Sequence, residues 1–178
     1  MSQTSLDLGV TNYDDSNDSD TQCTPKWLAD MLPVVDLDPC SNARSHIKAR
    51  RSIALPNDGL SVPWHKIATS VWCNPPYSNP LPWAMAGNDA FVGSDVEQLW
   101  LVKLDPTTRW WAMLAPFAHV FLCRDRIAFE KNGVERKGTN FCTAFMWLKP
   151  HRSKPSVFAE CVAHLERMGV IWFKGDPL

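Results

Sequence analysis

Residues 74–77 read Asn-Pro-Pro-Tyr and follow directly on the apolar run Ser70-Val71-Trp72-Cys73. Two consecutive prolines lock φ twice and remove two backbone donors, so neither a helix nor a paired strand continues through them. The first proline also pushes Asn74 toward an extended conformation. The run is therefore a strand that stops at residue 74 and hands over to a rigid polar loop. Taken alone, such a turn is an ordinary strand ending, since Asn-Pro commonly starts turns. The buried strand ahead of it and the aromatic residue behind it suggest a site. In open α/β sheets, ligands bind at the carboxyl ends of strands.

The rest of the chain supplies such a sheet. Thr24 before Pro25, followed by Lys26–Leu32, reads as an N-cap, a first-turn proline and a short helix. Val34–Asp38 is a strand ended by Pro39, and Asn42–Arg51 fits a helix or an extended segment equally. Pro56-Asn57-Asp58-Gly59 is a turn. Beyond residue 77 come a helix within Pro80–Phe91, a buried strand over Val96–Lys103 and a helix over Pro106–Leu114. His119–Cys123 is a further strand. Arg126–Glu130 and Phe141–Leu148 flank Lys131-Asn132-Gly133 as a β-hairpin. Phe158, Cys161, Val162 and Leu165 fall at helical spacing before a short strand, Val170–Phe173. Strands alternating with helices, then a hairpin, predict an α/β doubly wound sheet, mostly parallel with an antiparallel edge. Asp38-Pro39-Cys40 and Asn74–Tyr77 end two of its strands, which places both motifs at one rim.

At 178 residues, 45% hydrophobic and 21% charged, the chain is one domain with a real core. No apolar run approaches the ~20 residues that span a bilayer, and Met1-Ser2-Gln3-Thr4 lacks the regions of a signal peptide. The cysteines are scattered without zinc spacing. A cytoplasmic, metal-free protein with reduced thiols follows. Net charge is −1, but Asp7 to Asp20 carries five acidic groups and no basic one. Residues 1–22 are thus expected as a disordered acidic leader, and 23–178 as the folded domain. That domain is mildly basic, with cations grouped around Arg44, Lys48 and Arg50, around Arg126, and near residues 131–137 and 149–154. Each group alone is an ordinary solvated face. Four of them beside loops are what a polyanion-tracking surface would require.

The loop also suits a particular chemistry. In adenine, cytosine or a carboxamide the amino lone pair is delocalised, so the nitrogen must be drawn toward a tetrahedral state before it attacks a methyl donor. The Asn74 side-chain oxygen and the Pro75 carbonyl can accept its two hydrogens, and Pro75 and Pro76 fix those acceptors beforehand. Tyr77 offers a flat face for a planar substrate. No general base is needed, because the nitrogen acidifies once alkylated.

With these residues in order, the chain resembles the phage-type DNA N-6-adenine methyltransferase family. The resemblance runs from Thr24-Pro25 to about Leu148 and includes Leu28, Asp36–Cys40, Asn42-Ala43, Asp58-Gly59-Leu60, Trp64, Val71–Ser78, Trp83, Thr108–Trp111, Arg126-Ile127 and Phe129. It implies a Rossmann-like methyltransferase using S-adenosylmethionine, with adenine in DNA as acceptor, of phage or prophage origin, where methylation shields DNA from restriction. It further implies that Thr24, Pro25, Asp38, Pro39, Cys40, Ser41, Asn42 and Asp58 bind the cofactor. Asp38 would either cap its segment or hold the cofactor's amino group. Asp58 would be a turn residue or a partner of the adenine ring. Arg44, Lys48, Arg50, Arg109 and Arg126 are the candidate DNA contacts, while Trp110 and Trp111 read as packing. The glycine-rich turn common in such proteins is replaced by Asp38–Asn42. About thirty residues separate that motif from the Asn74 strand, too few for two full α/β units, so an abbreviated cofactor half is expected. Other amino acceptors (cytosine N4, RNA adenine, protein glutamine) and a silent nucleic-acid binder stay open. So does the choice between monomer and homodimer.

Overall fold

The computed structural model describes residues 20, 22–131, 134–135, 141–150, 155–167 and 171–173. Most of the expected acidic leader lies outside them. The strands are β1 Val35–Ser41, β2 Ala49–Ala54, β3 Ser70–Cys73, β4 Glu97–Lys103, β5 His119–Leu122, β6 Glu130–Lys131, β7 Val134–Glu135, β8 Thr143–Leu148 and β9 Ile171–Phe173. The helices are α1 Lys26–Met31, α2 Trp64–Ile67, α3 Leu81–Ser94, α4 Arg109–Leu114 and α5 Ala159–Arg167.

A seven-stranded sheet runs in the order β2-β1-β3-β4-β8-β5-β9. β2, β1, β3 and β4 are mutually parallel. β8 is antiparallel to both β4 and β5, so β5 points with the parallel set, and β9 closes the edge antiparallel. The mostly parallel α/β sheet with an antiparallel edge is therefore what the chain forms. Helices cover both faces. Trp100 and Val102 of β4, with Ala144, Met146 and Leu148 of β8, pack toward Trp64 of α2, Phe91 of α3 and Trp110 of α4. The alternate residues, Leu99, Leu101, Phe145 and Trp147, pack toward Leu28 of α1 and Cys161, Val162 and Leu165 of α5. A strand apolar at every position belongs in the middle of such a three-layer stack.

Three local expectations are corrected and one left open is settled. Pro39 does not end β1: the strand continues to Ser41, and its register against β2 shifts between Asp38 and Ser41, where a missing N–H does no harm. The cap of α1 is Pro25 rather than Thr24; its carbonyl accepts from Leu28 and Ala29, both at 3.0 Å. Residues 42–51, for which a helix and an extended segment both stood open, contain no helix: 42–48 link the parallel strands β1 and β2 through a turn at 43–44, and 49–51 belong to β2. Nor do Arg126–Glu130 and Phe141–Leu148 form a hairpin. Residues 130–131 pair with 134–135 in a two-stranded ribbon, while β8 inserts between β4 and β5; Asn132 and Gly133 lie outside the described residues.

The abbreviated half follows from these connections. Between β2 and β3 stand only a tight turn at Gly59–Ser61 and the four residues of α2. A Cβ on Gly59 would lie 1.8 Å from the Pro39 carbonyl oxygen, so only glycine lets this turn cross β1 so closely. The indole N–H of buried Trp64 donates to the Gly59 carbonyl at 2.9 Å and holds the crossing in place.

Candidate active site

The carboxyl ends of β1 and β3 open into a cavity of about 550 Å³. Asp38–Asn42 form one wall, Asn74–Tyr77 the other, and Thr24 and Asp58 also face it. The two motifs expected at one rim share one space. Pro25, behind Thr24, does not line it.

Asn74 leaves β3 with its amide held from one side only. Its Nδ2 donates to the Thr24 hydroxyl at 3.4 Å, while Oδ1 is buried and has no hydrogen-bond partner among the described residues. A buried acceptor without a donor is costly, and natural structures retain few of them. Thr24 is itself placed by a stitch across the chain. Cys23 and Glu130 exchange backbone hydrogen bonds at 2.8 and 3.1 Å, and the Glu130 carboxylate accepts from the Lys26 amide and pairs with His46, each at 2.8 Å. Burial alone would raise the Glu130 pKa; the Lys26 amide and His46 outweigh it and hold it below the usual range.

Asp38 is the charged counterpart. It is only 3% exposed, and burial raises its pKa to about 6, although Ser41, the Cys40 amide and Ser45 each favour the ionised form. Among the described residues this carboxylate has no ion-pair partner, and it faces a ligand-sized space. Cys40 and Cys73 bring their sulfurs to 3.6 Å beside it, and burial pushes the Cys73 thiol well up. Asp58 takes the turn role: Oδ1 accepts from Leu60 N at 2.9 Å as a cap, and the residue also lines the cavity. The Asn42 side chain accepts from Arg44 N at 2.9 Å and Cys23 Sγ at 3.3 Å, which folds the segment after β1 against the cavity.

Tyr77 is more enclosed than a simple stacking platform. Its hydroxyl donates to the Leu101 carbonyl at 3.4 Å, and Phe129 and Phe141 meet its ring edge-on at 5.9 and 5.3 Å. The Lys103 ammonium lies over it, 5.3 Å from the ring centre. Burial raises the phenol pKa well above its ordinary value, so it stays neutral.

The candidate DNA contacts divide between the two rims. Arg44 lines the cavity, and Arg109 and Arg126 are exposed beyond the carboxyl ends of β4 and β5. Lys48 and Arg50 are not brought there. Lys48 precedes β2 and receives the Val35 amide at its carbonyl; Arg50 pairs with Asp36 at 3.4 Å, at the amino ends of the strands. Of the five candidates, Lys48 and Arg50 thus stand apart from the cavity rim.

Sequence reasoning missed two contributors. The Asp20 carboxylate takes the Ser78 amide at 2.9 Å and the Ser78 hydroxyl, pinning the residue that follows Tyr77. The Ser45 hydroxyl faces Asp38 at 3.5 Å. Nothing in an acidic run rich in Ser and Asn marks Asp20 out. Ser45, seven residues beyond Asp38 and after a strand end, left a faint signal in its spacing alone.

A buried acceptor without a partner among the described residues and a buried carboxylate, facing one cavity on a mostly parallel sheet, fit a Rossmann-like methyltransferase. A profile of the DNA N-6-adenine-methyltransferase (Dam) family matches residues 14–169, and the chain belongs to that family. The DNA N-6-adenine-methyltransferase of Haemophilus phage HP1 (strain HP1c1) is 28% identical to it over 123 residues, 65% of this chain and 69% of the relative. Membership makes the chain an adenine-specific DNA methyltransferase. Among the described residues no helix is long and apolar enough to cross a membrane.

Proposed function

We propose that the chain methylates N6 of an adenine flipped out of DNA, with Asn74 Oδ1 and the Pro75 carbonyl accepting the two N6 hydrogens. The observation that carries this reading is the buried, partnerless Asn74 oxygen at the cavity wall. An exocyclic amino group supplies the donor that this oxygen lacks. Both acceptors belong to a loop stiffened by Pro75 and Pro76, so they need no reorganisation as positive charge grows on nitrogen. Adenine cannot reach them inside a duplex, and extruding it costs a few kcal/mol.

S-adenosylmethionine, when bound, supplies an electrophilic methyl on a sulfonium. The chain fits such a ligand: about 550 Å³ suits a small-molecule cofactor, and Asp38 offers an uncompensated carboxylate to its cationic end. Ser41 and Asn42 line the same wall, and Asp58 also faces the cavity and would hydrogen-bond the adenine ring of the cofactor. Tyr77 and the Pro75-Pro76 backbone orient the target base, and orientation with fixed acceptors accounts for most of the acceleration. Asn74, Asp38 and Asp58 come from one chain, so a monomer suffices for chemistry. In an infected bacterial cytoplasm such a mark shields DNA from restriction.

The test is transfer of labelled methyl from S-adenosylmethionine to unmethylated DNA, followed by nucleoside analysis. N6-methyladenine is the expected product. N4-methylcytosine, or label only in RNA or protein, would move the reading to another amino acceptor. Failure to bind the cofactor in calorimetry, with DNA binding intact, would make the chain a silent binder.

A further inference from the structure

β4 runs three residues beyond Trp100, the last position at which it pairs with β3, and that overhang ends in Lys103. Tyr77 folds back along the overhang, with its hydroxyl on the Leu101 carbonyl. The half-buried Lys103 ammonium then lies over two rings, 5.3 Å from the centre of Tyr77 and 4.8 Å from that of Phe141. Lys103 does not line the cavity, whereas Tyr77 does, so the cation stands at the margin of the site. Its charge is also uncommitted. Lys26 and Arg50 have carboxylate partners, but among the described residues no carboxylate pairs with Lys103.

We propose that Lys103 is a DNA-backbone clamp whose ammonium is parked on Tyr77 and Phe141 in the free protein. On DNA binding it moves to a phosphate flanking the flipped nucleotide. This rests on the base-flipping reading above and adds to it a residue and its partner. An ammonium over a ring face occupies the region where a stacked base would lie, so the two compete for that face of Tyr77. A flipped nucleotide carries its flanking phosphates to the pocket margin, within reach of a four-carbon stem. The stem gives the ammonium its travel, and the strand fixes its origin. Lys103 is the cation held against the ring that is to receive the base.

The test compares Lys103→Gln and Lys103→Arg in methyl transfer to unmethylated plasmid DNA between about 50 and 200 mM salt. Lys103→Gln should raise KM for DNA several-fold and flatten its log–log salt dependence by about one unit, because one phosphate contact is lost. Its kcat and its KM for S-adenosylmethionine should stay near wild type, and Lys103→Arg should keep the full salt slope. An unchanged slope in Lys103→Gln would overturn the proposal. A second measurement avoids dependence on that variant's folding. In wild-type protein carrying ¹³C-methylated lysines, the Lys103 resonance should be shifted upfield by the two rings and should lose that shift when a short unmethylated duplex is added. A resonance that keeps its ring shift in the complex overturns the clamp. If wild-type protein transfers no methyl to DNA, the underlying reading has failed instead, and the two failures are distinct.

Discussion

On the proposed mechanism Asn74 acts through an oxygen that has no partner among the described residues, and Thr24 holds the other end of its amide. Asn74→Ala should therefore lower kcat by about 10²–10³, the usual cost of removing one preorganised donor or acceptor. Calorimetric affinity for S-adenosylmethionine should be nearly unchanged, and a variant turning over at the wild-type rate would sink the mechanism. Asp38 makes a pH prediction. Burial raises its folded pKa from the unfolded value of 3.8 to about 6. Stability from the neutral acid is thus fully present below 3.8, is lost as pH rises through about 6, and is level above that. A cationic ligand needs the carboxylate, so cofactor affinity should fall about tenfold per pH unit below 6 and plateau above it. Asp38→Asn should abolish that slope; a flat wild-type profile from pH ~5 to ~8 would remove Asp38 from the cofactor site. The role of Asp38 came only from the resemblance, but the shared place of both residues was legible because each lies toward the carboxyl end of a strand expected in one sheet. Asp20 was not, since its grip on Ser78 depends on a long-range approach that local composition does not encode. Asp20→Ala should slow transfer about tenfold through a loosened loop, with a melting temperature close to wild type.

Among the elements, β3, β4, β8, α3 and α5 were legible because their apolar residues follow a run or a helical spacing. β2 was not. Of Ala49–Ala54 only Ile53 is buried, because β2 is an edge strand whose arginines stay in solvent and discourage further pairing. The expected hairpin failed for a related reason. Every residue of β8 is buried, and a partner on one side alone cannot cover both its faces and edges. The turn signal at Asn132-Gly133 therefore did not decide where β8 went. Two glycines test how tightly the elements meet. Gly59→Ala drives a Cβ into the Pro39 carbonyl and should cost about 1–3 kcal/mol in urea unfolding while weakening cofactor binding. Gly87→Ala places a Cβ 2.3 Å from the Trp100 ring. It should destabilise by a similar ~1–3 kcal/mol although alanine favours the helix by about 1 kcal/mol, and cofactor affinity should hold. Equal stability of either variant with wild type would show that the crossing can relax.

For the molecule as a whole, the α/β class and the shared rim followed from the order of elements, whereas the strand order did not. No local signal says that β8, far along the chain, belongs between β4 and β5; its burial says only that it is interior. That placement has a consequence for a chain being made from its N-terminus. β4 can join β3 as soon as Lys103 is available, but its other edge, in a strand whose residues 97–102 are all buried in the finished protein, waits for Leu148. At ordinary elongation rates the wait lasts roughly two to nine seconds. β5 emerges meanwhile with neither of its own neighbours yet made. Nascent chains halted between residues 123 and 142 should therefore bind chaperones or aggregate, and chains released past β9 should not. Equal solubility of the two sets would mean that the open edge is covered in another way. On this account the late arrival of one strand should make this small enzyme dependent on protection during its own synthesis.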